Sequence, residues 1–70
     1  MDNLNIRQTK ILEIIKLQQN IGLKKILEQL NQKVSVITIS RDLSKLVKLE
    51  YLQRNGKGPA TQYSLLPKTL

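Results

Sequence analysis

Residues 36 to 48 gather most of the chemistry this chain can offer. Thr38, Ser40 and Ser44 bring small hydroxyls, and Arg41, Lys45 and Lys48 bring cations. All lie opposite an apolar stripe of Ile39, Leu43, Leu46 and Val47, whose spacings of three and four predict a helix. A helix of this kind fits the major groove of duplex DNA. Small hydroxyl residues permit close approach, and Arg41 can make a bidentate contact with guanine or hold a phosphate. Val36 and Ile37 fall in the first turn, where such a helix faces base edges, and Ile37 off the stripe can meet a thymine methyl. The ordinary alternative is an amphipathic helix with a solvated outer face, since single exposed apolar residues are common.

Two further groups of cations stand out. Lys24 and Lys25 open a short apolar-periodic stretch, where cations oppose the helix dipole. A phosphate at that N-terminus would remove the conflict; otherwise both side chains point into water at small cost. Arg54 and Lys57 flank an Asn55-Gly56 pair, a hairpin signal.

The elements that must position these residues follow from pattern. Asn5 caps a first helix running from Ile6 to about Gln18, with Gln8 placed to complete a capping box. Ile11, Leu12 and Ile15 form its core face. Ile6, Ile14 and Leu17 form a second apolar face, more than so small a domain needs. That surplus suggests contact with a second copy, or with a parent or partner protein; the alternative is cover from the segment near Ile21 or from Leu65, Leu66 and Leu70. A turn at Asn20–Gly22, with a short strand around Ile21–Leu23, precedes a second helix over about Lys24–Leu30. Asn31–Lys33 is a polar turn. Ser35 is a good N-cap for the third helix, Val36 to about Leu49. Tyr51–Arg54 and Gln62–Leu65 alternate and read as paired strands, and Pro67 ends the second. The expected domain is therefore residues 1–66, mainly α with a small β-hairpin, followed by a tail at 67–70. A short turn before the later helix, then a basic hairpin, is the order of a winged helix-turn-helix.

Composition bounds the function. The chain has 70 residues, twelve Lys and Arg, five Asp and Glu, and a net charge of +7. That balance favours polyanions. No Cys and no His are present, which removes the usual thiolate and imidazole metal ligands and the commonest general base. The five carboxylates are scattered, so neither an enzyme, a metal nor a cofactor is expected. No apolar run approaches a membrane span, and Trp and Phe, which anchor interfacial helices, are absent. The N-terminus has no signal-peptide order, so a cytoplasmic location is expected. Readers of single strands stack bases on exposed aromatics. Only Tyr51 and Tyr63 are available, both expected in strands, so duplex DNA is the expected partner.

The run Val34-Ser35-x-x-Thr38-Ile39-x-Arg41-Asp42-Leu43-x-x-Leu46, followed by Leu52-x-Arg54, resembles the DeoR-type winged helix-turn-helix. The C-terminal winged-helix domain of Fic-family proteins is similar. Their wing often reads Gly-Lys-Gly and then Thr and Tyr, as in Gly56-Lys57-Gly58-Pro59-Ala60-Thr61-Gln62-Tyr63. The resemblance is close over residues 34–65 and loose over the first two helices. It implies a transcription regulator or its DNA-binding part, with Ser35, Thr38, Arg41 and the wing at the DNA. Asp42 would then be an intramolecular anchor, since a carboxylate repels phosphate. These families commonly have Gly where Glu50 stands. A left-handed residue ends many helices, and Glu adopts that conformation at a cost of ~1–2 kcal/mol. A competing reading is a winged-helix docking or dimerisation module, antitoxin-like, that reads no DNA. Charge placement separates the two: DNA binding needs Lys24, Arg41, Lys45, Lys48, Arg54 and Lys57 on one surface.

Overall fold

The computed structural model describes residues 4–30 and 33–67. Helices α1 (Ile6–Leu17), α2 (Leu23–Leu30) and α3 (Val36–Lys48) precede strand β1 (Leu52–Asn55), a 3₁₀ turn at Gly58–Ala60 and strand β2 (Gln62–Leu65). This is a winged helix-turn-helix. Asn31 and Gln32 of the expected polar turn lie outside the described residues, as do Leu70 and the tail beyond Pro67.

α1 starts where its cap allows. The Asn5 side chain accepts from the Gln8 N–H at 2.7 Å, and Gln8 Oε1 accepts from the Asn5 N–H at 3.1 Å. This is the reciprocal capping box. α3 starts at Ser35, whose Oγ accepts from the Thr38 N–H at 3.1 Å. Ile11, Ile15, Ile26, Ile39, Leu43, Leu46 and Leu52 are fully buried, so all three helices and β1 contribute to one core. Burying each such side chain stabilises the fold by about 1.5–3 kcal/mol relative to exposure. Leu12, Leu27 and Val47, expected inward, pack against this core but stay partly exposed.

The hairpin pairs Leu52 with Leu65 and Asn55 with Gln62, antiparallel. The strand expected near Ile21 reduces to one bridge: the Ile21 and Tyr63 N–H groups donate to each other's carbonyls at 3.0 and 2.8 Å. Leu23 belongs to α2 instead. Tyr51 precedes β1 rather than joining it, because it is used to close α3. The Asn55-Gly56 pair does not make a two-residue turn. Asn55 completes β1, Gly56 takes φ 86°, and the loop runs through the 3₁₀ turn. A Cβ on Gly56 would sit 2.6 Å from the Ala60 carbonyl oxygen, so only glycine fits this fold of the wing.

α3 ends as a Schellman motif. The Tyr51 N–H donates to the Leu46 carbonyl and the Glu50 N–H to the Val47 carbonyl, both at 3.0 Å. The motif needs a left-handed residue, and Glu50 takes φ 67°. The helix therefore ends where a glycine would end it, and the chain bears the strain.

That strain is measurable. Glu50→Ala keeps the Cβ while removing the carboxylate, and Glu50→Gly removes both. The glycine variant is expected to be the more stable of the two by about 1 kcal/mol, a rise of roughly 4–8 °C in Tm. Equal melting temperatures would mean that no strain resides at this residue.

Candidate nucleic-acid interface

The third helix presents two rows to solvent. Ile37, Arg41, Ser44 and Lys48, spaced by four, three and four, form the row farthest from the buried stripe. Ser40 with Ser44 turns toward the wing, where Arg54 donates to Ser44 Oγ at 3.4 Å. The Arg54 guanidinium also lies 5.8 Å from the centroid of the buried Tyr63 ring. A cation at that distance is attracted by the ring face, which pre-orients the wing's first cation against α3.

These contacts border an open groove of about 610 Å³ where three elements meet. Lys24 enters it from α2, Ser40 and Ser44 from α3, and Arg54, Gly58, Thr61 and Tyr63 from the wing. Gly22 also lines it. The Gly22 carbonyl accepts the Ile26 N–H at 3.1 Å, yet glycine offers no side-chain oxygen to the first N–H groups of α2. Lys24 and Lys25 are both exposed but diverge, as neighbours on a helix must. Lys25 lines a smaller cavity of about 230 Å³ with Gln18, Gln19, Asn20 and Gln62.

The remaining residues singled out from sequence fall as follows. Val36 and Ile37 are exposed, at 53% and 67%. Arg41, Lys45 and Lys48 are exposed on the same helix, and Lys57 is exposed in the wing loop. Lys45 and Lys48 sit in the last turn of α3, where cations suit the helix dipole. Ser35 is exposed but engaged as a cap, and its Oγ lies 2.9 Å from Thr38 Oγ1, which is half-buried. On α1, Ile6 and Leu17 are exposed at 76% and 82%, whereas Ile14 packs partly against the core. Sequence reasoning missed Gly22 and Thr61 as groove residues. Neither carries a charge, and the groove exists only once α2 and the wing are joined through Ile21 and Tyr63.

Directly behind Arg41, Asp42 is buried and bound on both oxygens. Arg7 Nε donates to Oδ2 and Arg7 Nη2 to Oδ1 at 3.2 Å, while Gln8 Nε2 donates to Oδ1 at 3.1 Å. The hydrogen bond to Asp42, aided by its charge, raises the Arg7 pKa above the ordinary value. Asp42 is thus an internal anchor between α3 and α1, and Arg7 is an internal partner.

Comparison with known proteins agrees with this fold. Residues 7–61 match the DeoR-like helix-turn-helix domain. The fold is similar to that in the crystal structure of RV1404 from Mycobacterium tuberculosis, with a TM-score of 0.84 at 21% identity. That match covers 96% of this chain and 46% of RV1404, so the chain spans less than half of its neighbour. No curated protein matches the chain.

The anchor generates a prediction. Asp42→Ala leaves Gln8 Nε2 without its acceptor and frees Arg7, whose side chain is 31% exposed and recovers part of its solvation. The expected cost is about 2–3 kcal/mol, below that of a fully buried pair. In a double-mutant cycle with Arg7→Ala the two losses should be less than additive by ~1 kcal/mol or more. Strict additivity in urea melts would mean that the two side chains do not act together.

Proposed function

Because the chain belongs to the DeoR-like helix-turn-helix family, we propose that it binds double-stranded DNA sequence-specifically, as a transcription regulator or the DNA-binding part of one. α3 enters the major groove with Val36, Ile37, Thr38, Ser40, Arg41 and Ser44 toward base edges. The wing, residues 54–60, lies on the backbone or in the minor groove. Ser35, Lys24, Lys25, Lys45, Lys48, Arg54 and Lys57 serve the phosphates. The observation that carries this reading is the groove in which Lys24, Ser40, Ser44 and Arg54 meet. It brings cations from the first helix of the motif and from the wing together beside α3.

The physics favours such a division of labour. Phosphate contacts fix position and base contacts fix sequence. An α2 start without a side-chain cap, with Lys24 beside it, suits a phosphate oxygen. Arg41, exposed in the outer row, is free to reach guanine, because the neighbouring carboxylate is already engaged by Arg7 and Gln8. Two copies on paired half-sites, ~34–36 Å apart, complete the reading. No catalytic step is assigned, and the site of action is cytoplasmic.

Titration with duplexes tests it. Four to six cations reaching phosphates give a slope of log affinity against log salt of roughly −4 to −5. No duplex binding at low salt would defeat this reading and favour a docking module. On a site selected from random duplexes, Arg41→Ala should cost ~1–3 kcal/mol and relax discrimination at one base pair. Lys57→Ala should weaken all sequences alike. An Arg41→Ala loss equal on every sequence would remove that residue from base reading.

A further inference from the structure

Ile6, Lys10, Glu13 and Leu17 follow one another on α1 at spacings of four, three and four. They form a single row on the side of the helix opposite Ile11 and Ile15, and all four are exposed. Ile6 and Leu17 lie roughly 16 Å apart along the axis and are the most exposed large apolar side chains among the described residues. Neither Lys10 nor Glu13 forms an ion pair within the chain among the described residues. Ile14 lies at the edge of the row, already partly used by the core.

We infer that this row is the contact surface for a second copy of the chain, with the two α1 helices antiparallel about a twofold axis beside residues 11 and 12. The argument is one of self-complementarity. A twofold interface must present the same patch on both sides, so that if i meets j then j meets i. Antiparallel pairing centred there places each residue against the one whose number completes 23. Ile6 then meets the partner's Leu17, and Lys10 meets the partner's Glu13, each twice. One register therefore covers both apolar ends and neutralises both charges in the middle. Parallel pairing would set Lys10 against Lys10 and Glu13 against Glu13, and fails on charge. The spacing of four, three and four is that of a short coiled-coil seam, which lets the two helices keep contact over its length. Two helices of 12 residues bury less than the ~1,200 Å² of a stable standard interface. The dimer is consequently weak in free solution and is completed when both copies sit on one duplex. This deepens the paired half-sites proposed above and rests on that reading only for its purpose.

The test is charge reversal read by sedimentation across a concentration series, without DNA, on the whole chain. Circular dichroism verifies the fold of each variant; both substituted positions are exposed. Wild type should dimerise as concentration rises. Lys10→Glu and Glu13→Lys should each weaken the dimer roughly ten-fold, because two attractions become two repulsions. The double variant Lys10→Glu with Glu13→Lys should return to within about three-fold of wild type. Ile6→Glu with Leu17→Glu should remain folded and monomeric. A wild-type chain that stays monomeric up to about 1 mM overturns the inference. So does a dimer indifferent to both single reversals, or a double variant no better than either single one. All of these outcomes are read without DNA, so a failure here is distinguishable from a failure of duplex binding in the salt titration.

Discussion

A buried carboxylate has to find donors, and the way Asp42 finds them sets the geometry of everything that faces outward. Its partners, Arg7 and Gln8, are consecutive residues in the first turn of α1. Gln8 serves twice with one amide, since its Oε1 caps the Asn5 N–H and its Nε2 reaches Asp42. The N-terminus of the first helix and the middle of the third are therefore fixed by the same side chain. Because helical positions are rigidly related, fixing the direction of Asp42 fixes that of Arg41, Ser44 and Lys48. Ile39, Leu43 and Leu46 bury the apolar side of α3. Apolar contact alone is non-directional and leaves the rotation of a helix loosely set. The fork of Arg7 on a planar carboxylate supplies the missing direction.

A second set of polar contacts does for the wing what Asp42 does for α3. Leu65 N–H donates to Gln19 Oε1 at 3.0 Å, Asn55 Nδ2 to Asn20 Oδ1 at 3.2 Å, and Ile21 bridges Tyr63. Three consecutive residues of the α1–α2 turn thus hold the hairpin. Asn20 adopts φ 62°, a conformation Asn tolerates well, and so carries the chain through the turn. The wing is consequently part of the body that contains α2, and the groove between them keeps its shape.

Local signals were legible in the sequence; long-range partners were not. The capping box at Asn5 and Gln8, the cap at Ser35, the stripe of α3 and the second strand of the wing all depend on neighbours within four residues. They fell where pattern placed them. Asp42 could be recognised as an anchor from electrostatics, but its partner is 35 positions away and was counted among the cations available to a polyanion. Lys24 and Lys25 looked equivalent in sequence and diverge in space. Ile6, Ile14 and Leu17 looked like one face, yet Ile14 is drawn to the core and the other two are not. Tyr51 carries strand propensity, but the α3 terminus needed its N–H for the Leu46 carbonyl. For Asp42 and Ile14 a tertiary contact decided the outcome; for Lys24, Lys25 and Tyr51 the geometry of a helix and of its C-terminal cap did.

The bridge between Ile21 and Tyr63 has a consequence for the order in which the molecule assembles. The two residues are 42 positions apart, whereas helical bonds close over about four residues and the hairpin pairs residues 7 to 13 positions apart. Loop closure over such a span costs entropy that no local hydrogen bond returns. Helical turns and hairpins form on microsecond scales, and non-local pairing follows them. The bridge and the groove beside it therefore depend on non-local contacts, whereas the start and stripe of α3 follow from local pattern. The groove exists only while that closure holds. A ligand seated across α2, α3 and the wing binds only the closed form, so it stabilises that closure by mass action. Occupancy then adds to the stability of the fold, and a protease that cleaves the opened wing would be held off by the same contacts that hold the ligand.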